Sequence, residues 1–346
     1  MYQRFYGLKE NPFSLSPDPS FMCMTNQHQE ALSGLIYSAC TRPGLTVLVG
    51  EAGTGKTTLL YSLLGLLEKR GFITAMCTNP TLTRQEFYDL VVMKFGVDCP
   101  SLLKSRQLTA LEERLRRNRV DGRPSVLIID EAQRLSTELL EEVRLLLNLE
   151  TPREKLLEII VAGQPELTEI LQRPELRQLK QRVSCVCRLK PLALEELKEY
   201  IHHRVTRAGL PTQSLFSGDV IQLIFEYTGG IPRLINSLCD SALQTGFALG
   251  SPRITPAILE EAAKDLDLLR TAPAQVETAH PTETPRLAEV EANTLPVGAI
   301  LTPPASNRVS HSGNGHSVSD GSVPLENYHA RQKSLGFFSN LMERWK

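Results

Sequence analysis

"VLVGEAGTGKTT", residues 47–58, sets a short apolar run against a turn carrying three glycines, a lysine and three threonines. Val47–Val49 reads as the end of a buried strand, and the residues from Lys56 onward have the apolar spacing of a helix. Between them, Gly50 to Thr57 matches GxxxxGK[ST], the phosphate-binding loop pattern. Each position has a physical reason. Gly50, Gly53 and Gly55 permit a tight turn and leave bare amides for phosphate oxygens, with Glu51, Ala52 and Thr54 completing the loop. The helix beginning near Lys56 aims its positive end at the same anion. Lys56 is expected to neutralise the β- and γ-phosphates of ATP, and the Thr57 hydroxyl to ligate Mg²⁺, with Thr58 beside it.

A second stretch, "SVLIIDEAQ" at 125–133, is apolar along its length and then ends in two adjacent carboxylates. An apolar run of this kind reads as a central strand of a parallel sheet, and ligands of such folds bind at the carboxyl ends of the strands. Asp130 is there to hold Mg²⁺ through its waters, and Glu131 to polarise a water for in-line attack. The competing reading, that both only cap the next helix, has no use for the lysine loop upstream.

Further polar positions suit the same chemistry. Gln164 ends "LEIIVAGQPEL", a strand expected beside that of Asp130, and is a candidate to orient the attacking water; a plain polar strand terminus is the alternative. Arg233 in "GGIPR" is a candidate to reach the γ-phosphate from a second domain, against a solvated arginine. Arg182, with Arg177 behind it, is a candidate to enter a neighbouring subunit's site in a ring or filament, against a surface charge.

Strand-like runs at 45–49, 72–77, 125–130, 157–162 and 183–188 alternate with helical patterns at 26–41, 56–70, 83–96, 105–119, 136–148 and 166–172. The fold class is therefore α/β, a parallel sheet with helices on both faces. From residue 193 strands cease, and helices fit 193–208, 217–227, 231–249 and 255–267, a small all-helical domain. Beyond Arg270 the chain is rich in Pro, Thr, Ser, Ala and Gly and reads as a disordered linker. At the end Leu335, Phe338, Met342 and Trp345 share a helical stripe flanked by basic residues, suited either to a membrane interface or to a partner's groove.

The chain of 346 residues carries a net charge of −1, so no overall basic field draws it to nucleic acid. Its seven cysteines include no CxxC pair, which fits reduced thiols in a cytoplasmic protein. "MYQRFYGLKENPF" lacks the pattern of a secretory signal, and no apolar run approaches the roughly 18 residues of a membrane span.

Lysine loop, DE pair, polar sensor, trans arginine and GxPR-type second sensor together resemble the AAA+ ATPase set. The opening "MYQRFYGLKENPFSLSPDPSFMCMTNQHQEAL", with "VGEAGTGKTTLL", "LIIDEAQRLS", "VAGQPEL" and "GGIPRLIN", is similar to the ExeA/GspA-type ATPases of the general secretion pathway over residues 1–268. The resemblance implies a P-loop ATPase domain at 1–191, a helical lid at 192–268, a linker at 269–328 and an amphipathic helix at 329–346. It implies an ATP- and Mg²⁺-dependent homo-oligomer, and an N-terminal aromatic segment beside the adenine, with Phe5, Phe13 and His28 as candidates. Secretion members usually continue into a membrane span and a peptidoglycan-binding domain. This sequence does not, which directs the expectation toward relatives serving exopolysaccharide export, exosortase systems or pilus assembly. The expected location is cytoplasmic, peripheral at the inner membrane, with recruitment to envelope components through residues 331–346. The alternative is a DNA-binding transposition-type ATPase, supported by the arginines Arg106, Arg114, Arg116, Arg117, Arg119 and Arg123; Glu112 and Glu113 on the same helix favour a solvated face.

Overall fold

The computed structural model describes residues 1–99, 103–210 and 215–270. Five parallel strands form one sheet: β1 (Leu45–Gly50), β2 (Ile73–Cys77), β3 (Ser125–Ile129), β4 (Leu157–Gly163) and β5 (Val183–Leu189), in the order β2-β3-β4-β1-β5. Strands β1, β3 and β4 are buried along their whole length, as their unbroken apolar runs require. Alternate residues feed two cores. Val47, Leu127, Ile129, Ile159 and Val161 face one layer, and Leu48, Val126, Ile128, Ile160 and Ala162 the other.

The first layer is covered by α4 (Arg84–Lys94), α5 (Lys104–Val120) and α6 (Thr137–Leu146), through side chains such as Phe87, Leu111, Leu115 and Val143. The second is covered by α2 (Asn26–Thr41) and α3 (Lys56–Lys69), through Leu35, Ile36, Leu59 and Leu63. Local signals set the helix ends. Thr83 and Glu86 form a reciprocal capping box at α4, and Ser136 accepts from the Leu139 amide at α6. Two short helices, α7 (Glu166–Ile170) and α8 (Arg177–Lys180), follow β4; α8 has no counterpart in the sequence reading, and neither does α1 (Tyr2–Tyr6).

Among the described residues β5 is followed by the helices α9 (Leu194–Arg207), α10 (Gly218–Thr228), α11 (Pro232–Ala248) and α12 (Pro256–Asp265), with no further strand. They bury a third core around Leu197, Ile201, Ile224, Leu238 and Leu259. The N-terminal segment shares it: Tyr6, Leu8, Phe13 and Phe21 belong to this cluster rather than to either face of the sheet. Among the described residues no helix is long and apolar enough to cross a membrane. The expected C-terminal helix at 329–346, and the linker beyond residue 270, lie outside the described residues.

One buried carboxyl sits within the sheet itself. Glu158, on β4, is fully buried; its Oε2 accepts from the Gly44 amide at 2.9 Å and its Oε1 from the Thr46 hydroxyl at 3.1 Å. Burial pushes this carboxyl up from its ordinary 4.5 to about 8, against the opposing pull of those two donors. The folded protein thus holds a proton that the unfolded chain releases above 4.5. The stability this group contributes is complete below that pH and is lost as pH rises through about 8. Glu158→Gln is neutral like the protonated acid: its Oε1 accepts from the Gly44 amide, and the Thr46 hydroxyl turns to accept from its Nε2. Urea unfolding of the variant should be less pH-dependent between about pH 5 and 8, with stability about 2 to 4 kcal/mol above the native chain at pH 8. An unchanged slope would count against a protonated Glu158.

Candidate functional site

The loop after β1 wraps the start of α3. Gly53 and Gly55 take φ of 83° and 95°, the left-handed region the motif demanded. Lys56, only 6% exposed, donates from Nζ to the carbonyls of Gly50 at 2.7 Å and Glu51 at 2.9 Å. Burial pulls this lysine below its ordinary value, while Glu131 and Asp130 push it back up. The ammonium is thus held over the loop beside two carboxylates that favour its charged form.

Thr57 Oγ1 donates to Asp130 Oδ2 at 2.7 Å, joining the first turn of α3 to the end of β3. The other Asp130 oxygen accepts from the Glu131 amide at 2.9 Å, and the Asp130 amide itself bonds to the Cys77 carbonyl of β2. Glu131 turns sharply away at φ 54°, an uncommon conformation for a residue with a side chain. Its carboxylate accepts from Gln133 Nε2 at 2.7 Å, and Gln133 Oε1 accepts from the Gln164 amide at 3.1 Å.

These groups open on a cleft of about 470 Å³ lined by Ala52–Thr58, Glu131, Gln164 and Arg233. Gly50 and Glu51 contribute the carbonyls beneath Lys56. Arg233 arrives from the start of α11: its amide donates to the Gly53 carbonyl at 3.2 Å, and a Cβ added at Gly53 would lie 2.7 Å from the Arg233 Cβ. The glycine therefore serves a second purpose, letting the helical part rest directly on the loop. Arg182 does not line the cleft. It precedes β5 at the amino edge of the sheet and donates to Asn148 Oδ1 at 3.2 Å.

Two of the three adenine candidates lie elsewhere. Phe13 is 1% exposed and packs edge-on against Phe216, and Phe5 packs edge-on against Phe247. Phe13 gains more from a dry core than from a polar cleft, whereas Phe5 stays exposed on the surface. His28 does line the cleft, with Nδ1 2.8 Å from the Thr25 hydroxyl; burial lowers its basicity, so it stands neutral beside the loop.

The wall opposite the loop is Ser14–Asp18, held by a residue the sequence reading passed over. Arg204, 7% exposed on α9, donates from Nε to the Pro12 carbonyl at 2.6 Å, from Nη2 to the Ser14 carbonyl at 3.4 Å and from Nη1 to the Tyr200 hydroxyl at 2.9 Å. Its guanidinium lies 5.3 Å from the ring centroids of both Phe21 and Tyr200. The signal was present: Leu197, Tyr200, Ile201, Arg204 and Val205 form one buried helical stripe with an arginine inside it.

The sheet order, the lysine loop, the carboxylates at the end of β3 and the helical part resting on the loop define a AAA-type P-loop nucleotide-binding ATPase domain. A family model described as an AAA domain matches residues 40–171. General secretion pathway protein A of Aeromonas hydrophila is 39% identical over 271 residues, which cover 78% of this chain and 49% of that protein. The chain thus spans about half the length of the curated relative it matches. Among solved structures, Drosophila ORC bound to DNA superposes with a TM-score of 0.60 at 16% identity, covering 77% of this chain and 66% of that one. Cdc6p from Pyrobaculum aerophilum does so with a TM-score of 0.57 at 20% identity, covering 76% and 70%. The chain belongs to the AAA ATPases of the general secretion pathway protein A type.

Arg204→Met keeps an unbranched apolar stem but removes the two donors to the N-terminal carbonyls of Pro12 and Ser14, and a third to Tyr200. We expect a loss of about 1 to 3 kcal/mol in urea unfolding and faster tryptic cleavage at Lys9. Unaltered cleavage would show that the wall does not rely on this arginine.

Proposed function

We propose that this chain binds ATP with Mg²⁺, hydrolyses it as an oligomer, and uses the cycle to drive assembly of an envelope export apparatus. The observation that carries the nucleotide part is the 2.7 Å bond between Thr57 and Asp130. It sets a hydroxyl and a carboxylate side by side at the mouth of the loop, oxygen donors of the kind Mg²⁺ prefers. Thr57 and Asp130 would hold the ion, which would supply charge neutralisation at the phosphates.

The remaining work falls to the chain's own groups. Loop amides and the α3 terminus bind the phosphates. Lys56 exchanges its two carbonyl partners for phosphate oxygens, a replacement that a desolvated ammonium favours. Glu131 takes a proton from the attacking water, and Gln164 orients that water. Arg233, already bonded to the loop through its amide, carries the nucleotide's state to the helical part. Arg182, free of the cleft of its own chain, stabilises developing charge in a neighbour's.

The export role rests on the kinship with general secretion pathway protein A, and the choice among secretion, exopolysaccharide and pilus machinery goes beyond it. Of the six arginines behind the nucleic-acid alternative, Arg106 and Arg123 are exposed, while four have partners within the chain. Arg116 and Arg117 pair with Glu112 and Glu113, Arg119 reaches Glu154 at 2.6 Å, and Arg114 bonds the Phe95 carbonyl. Charges so engaged offer little to a phosphate backbone.

Purified protein should bind ATP in a Mg²⁺-dependent manner. Lys56→Ala should lose that affinity, whereas Glu131→Gln should retain it while turnover falls about 100-fold or more. Equal turnover in Glu131→Gln would remove this residue as the base. Arg182→Ala should keep nucleotide affinity and lose hydrolysis, and mixing it with Lys56→Ala protomers should restore part of the rate. No recovery on mixing would argue against action across subunits.

A further inference from the structure

Gln133 has no task in the reading above, yet both ends of its amide are engaged. It stands in a short 3-10 turn, Ala132–Arg134, two residues past Glu131. Its Nε2 donates to Glu131 Oε2 at 2.7 Å, and its Oε1 accepts from the Gln164 amide at 3.1 Å. An amide placed between a carboxylate and an N–H has only one satisfied orientation. Flipping it would set oxygen against oxygen and hydrogen against hydrogen. The bridge spans the carboxyl ends of β3 and β4, which pair in register up to Ile129 and Val161. It also fits closely. A Cβ added at Gly163 would lie 2.8 Å from Gln133 Oε1, so the amide occupies space that any other residue would fill.

Three features therefore meet at one side chain: the strained turn at Glu131, the end of the strand carrying Gln164, and a glycine that admits the contact. We propose that Gln133 is a positioning residue: it fixes the Glu131 carboxylate and ties its placement to the main chain that presents Gln164. This inference rests on the reading of Glu131 as the base. Its content is that base and water-orienting group are held as one unit, so that a phosphate drawing on Gln164 also moves the carboxylate. A carboxylate left without its clamp keeps its chemistry but loses its aim, and misaim costs rate more than binding.

Gln133→Glu separates this role from simple packing. The variant keeps the shape and the acceptor for the Gln164 amide, and replaces only the donor to Glu131 with a repelling oxygen. We expect kcat to fall about 10- to 100-fold with the Kd for ATP within about threefold of native. If Gln133→Glu does not fold, Gln133→Met, with neither donor nor acceptor, decides by the same split between kcat and Kd. A kcat within twofold of native, or a loss confined to nucleotide affinity, overturns the proposal while leaving Glu131 as base. Absence of turnover in the native chain sinks both.

Discussion

One hydrogen bond organises the nucleotide end of this protein. When Thr57 donates to Asp130, it fixes the first turn of α3 relative to the end of β3, two elements otherwise linked only through the apolar core beneath them. The loop before α3 and the turn after β3 are then held on either side of one cleft. Asp130 is almost fully buried, and such a group is tolerated only where its oxygens are satisfied. Here one oxygen takes the Thr57 hydroxyl and the other the Glu131 amide, so the bond that builds the cleft also shapes the unusual turn at Glu131.

The helical part is joined to this end by contact with the loop itself. The Arg233 amide bonds the Gly53 carbonyl, and the absent side chain at Gly53 leaves room for the Arg233 stem. A loop that changes shape around phosphate must therefore displace α11 or be resisted by it. The coupling is short and made of main chain, which suits a two-position element better than a pliable one.

The elements themselves were almost wholly legible in the sequence. Buried parallel strands write continuous apolar runs, and helices at this length write a period, so β1, β3 and β4 and the helices between them fall where those patterns lie. The site was legible wherever chemistry obeys local spacing: the loop from Gly50 to Thr57 and the pair Asp130–Glu131. Arg204 and Gln133 escaped because their partners are distant in the chain or belong to the backbone. Arg204 bonds Pro12 across 192 residues, and Gln133 reaches an amide 31 residues away. No spacing rule encodes such pairings. Phe13 misled for the opposite reason, since a local aromatic cluster looks alike whether it will stack on a ligand or fill a core.

The shared core of the opening residues and the last four helices has a consequence for how the molecule comes into being. Tyr6, Phe13 and Phe21 are synthesised well before the side chains that shelter them, from Leu197 to Ala263. The five-stranded sheet has all its strands before then and is free to form early. The stretch from Tyr6 to Phe21 finds its cover only once those helices are made, and contacts of such sequence separation are of the kind that form slowly.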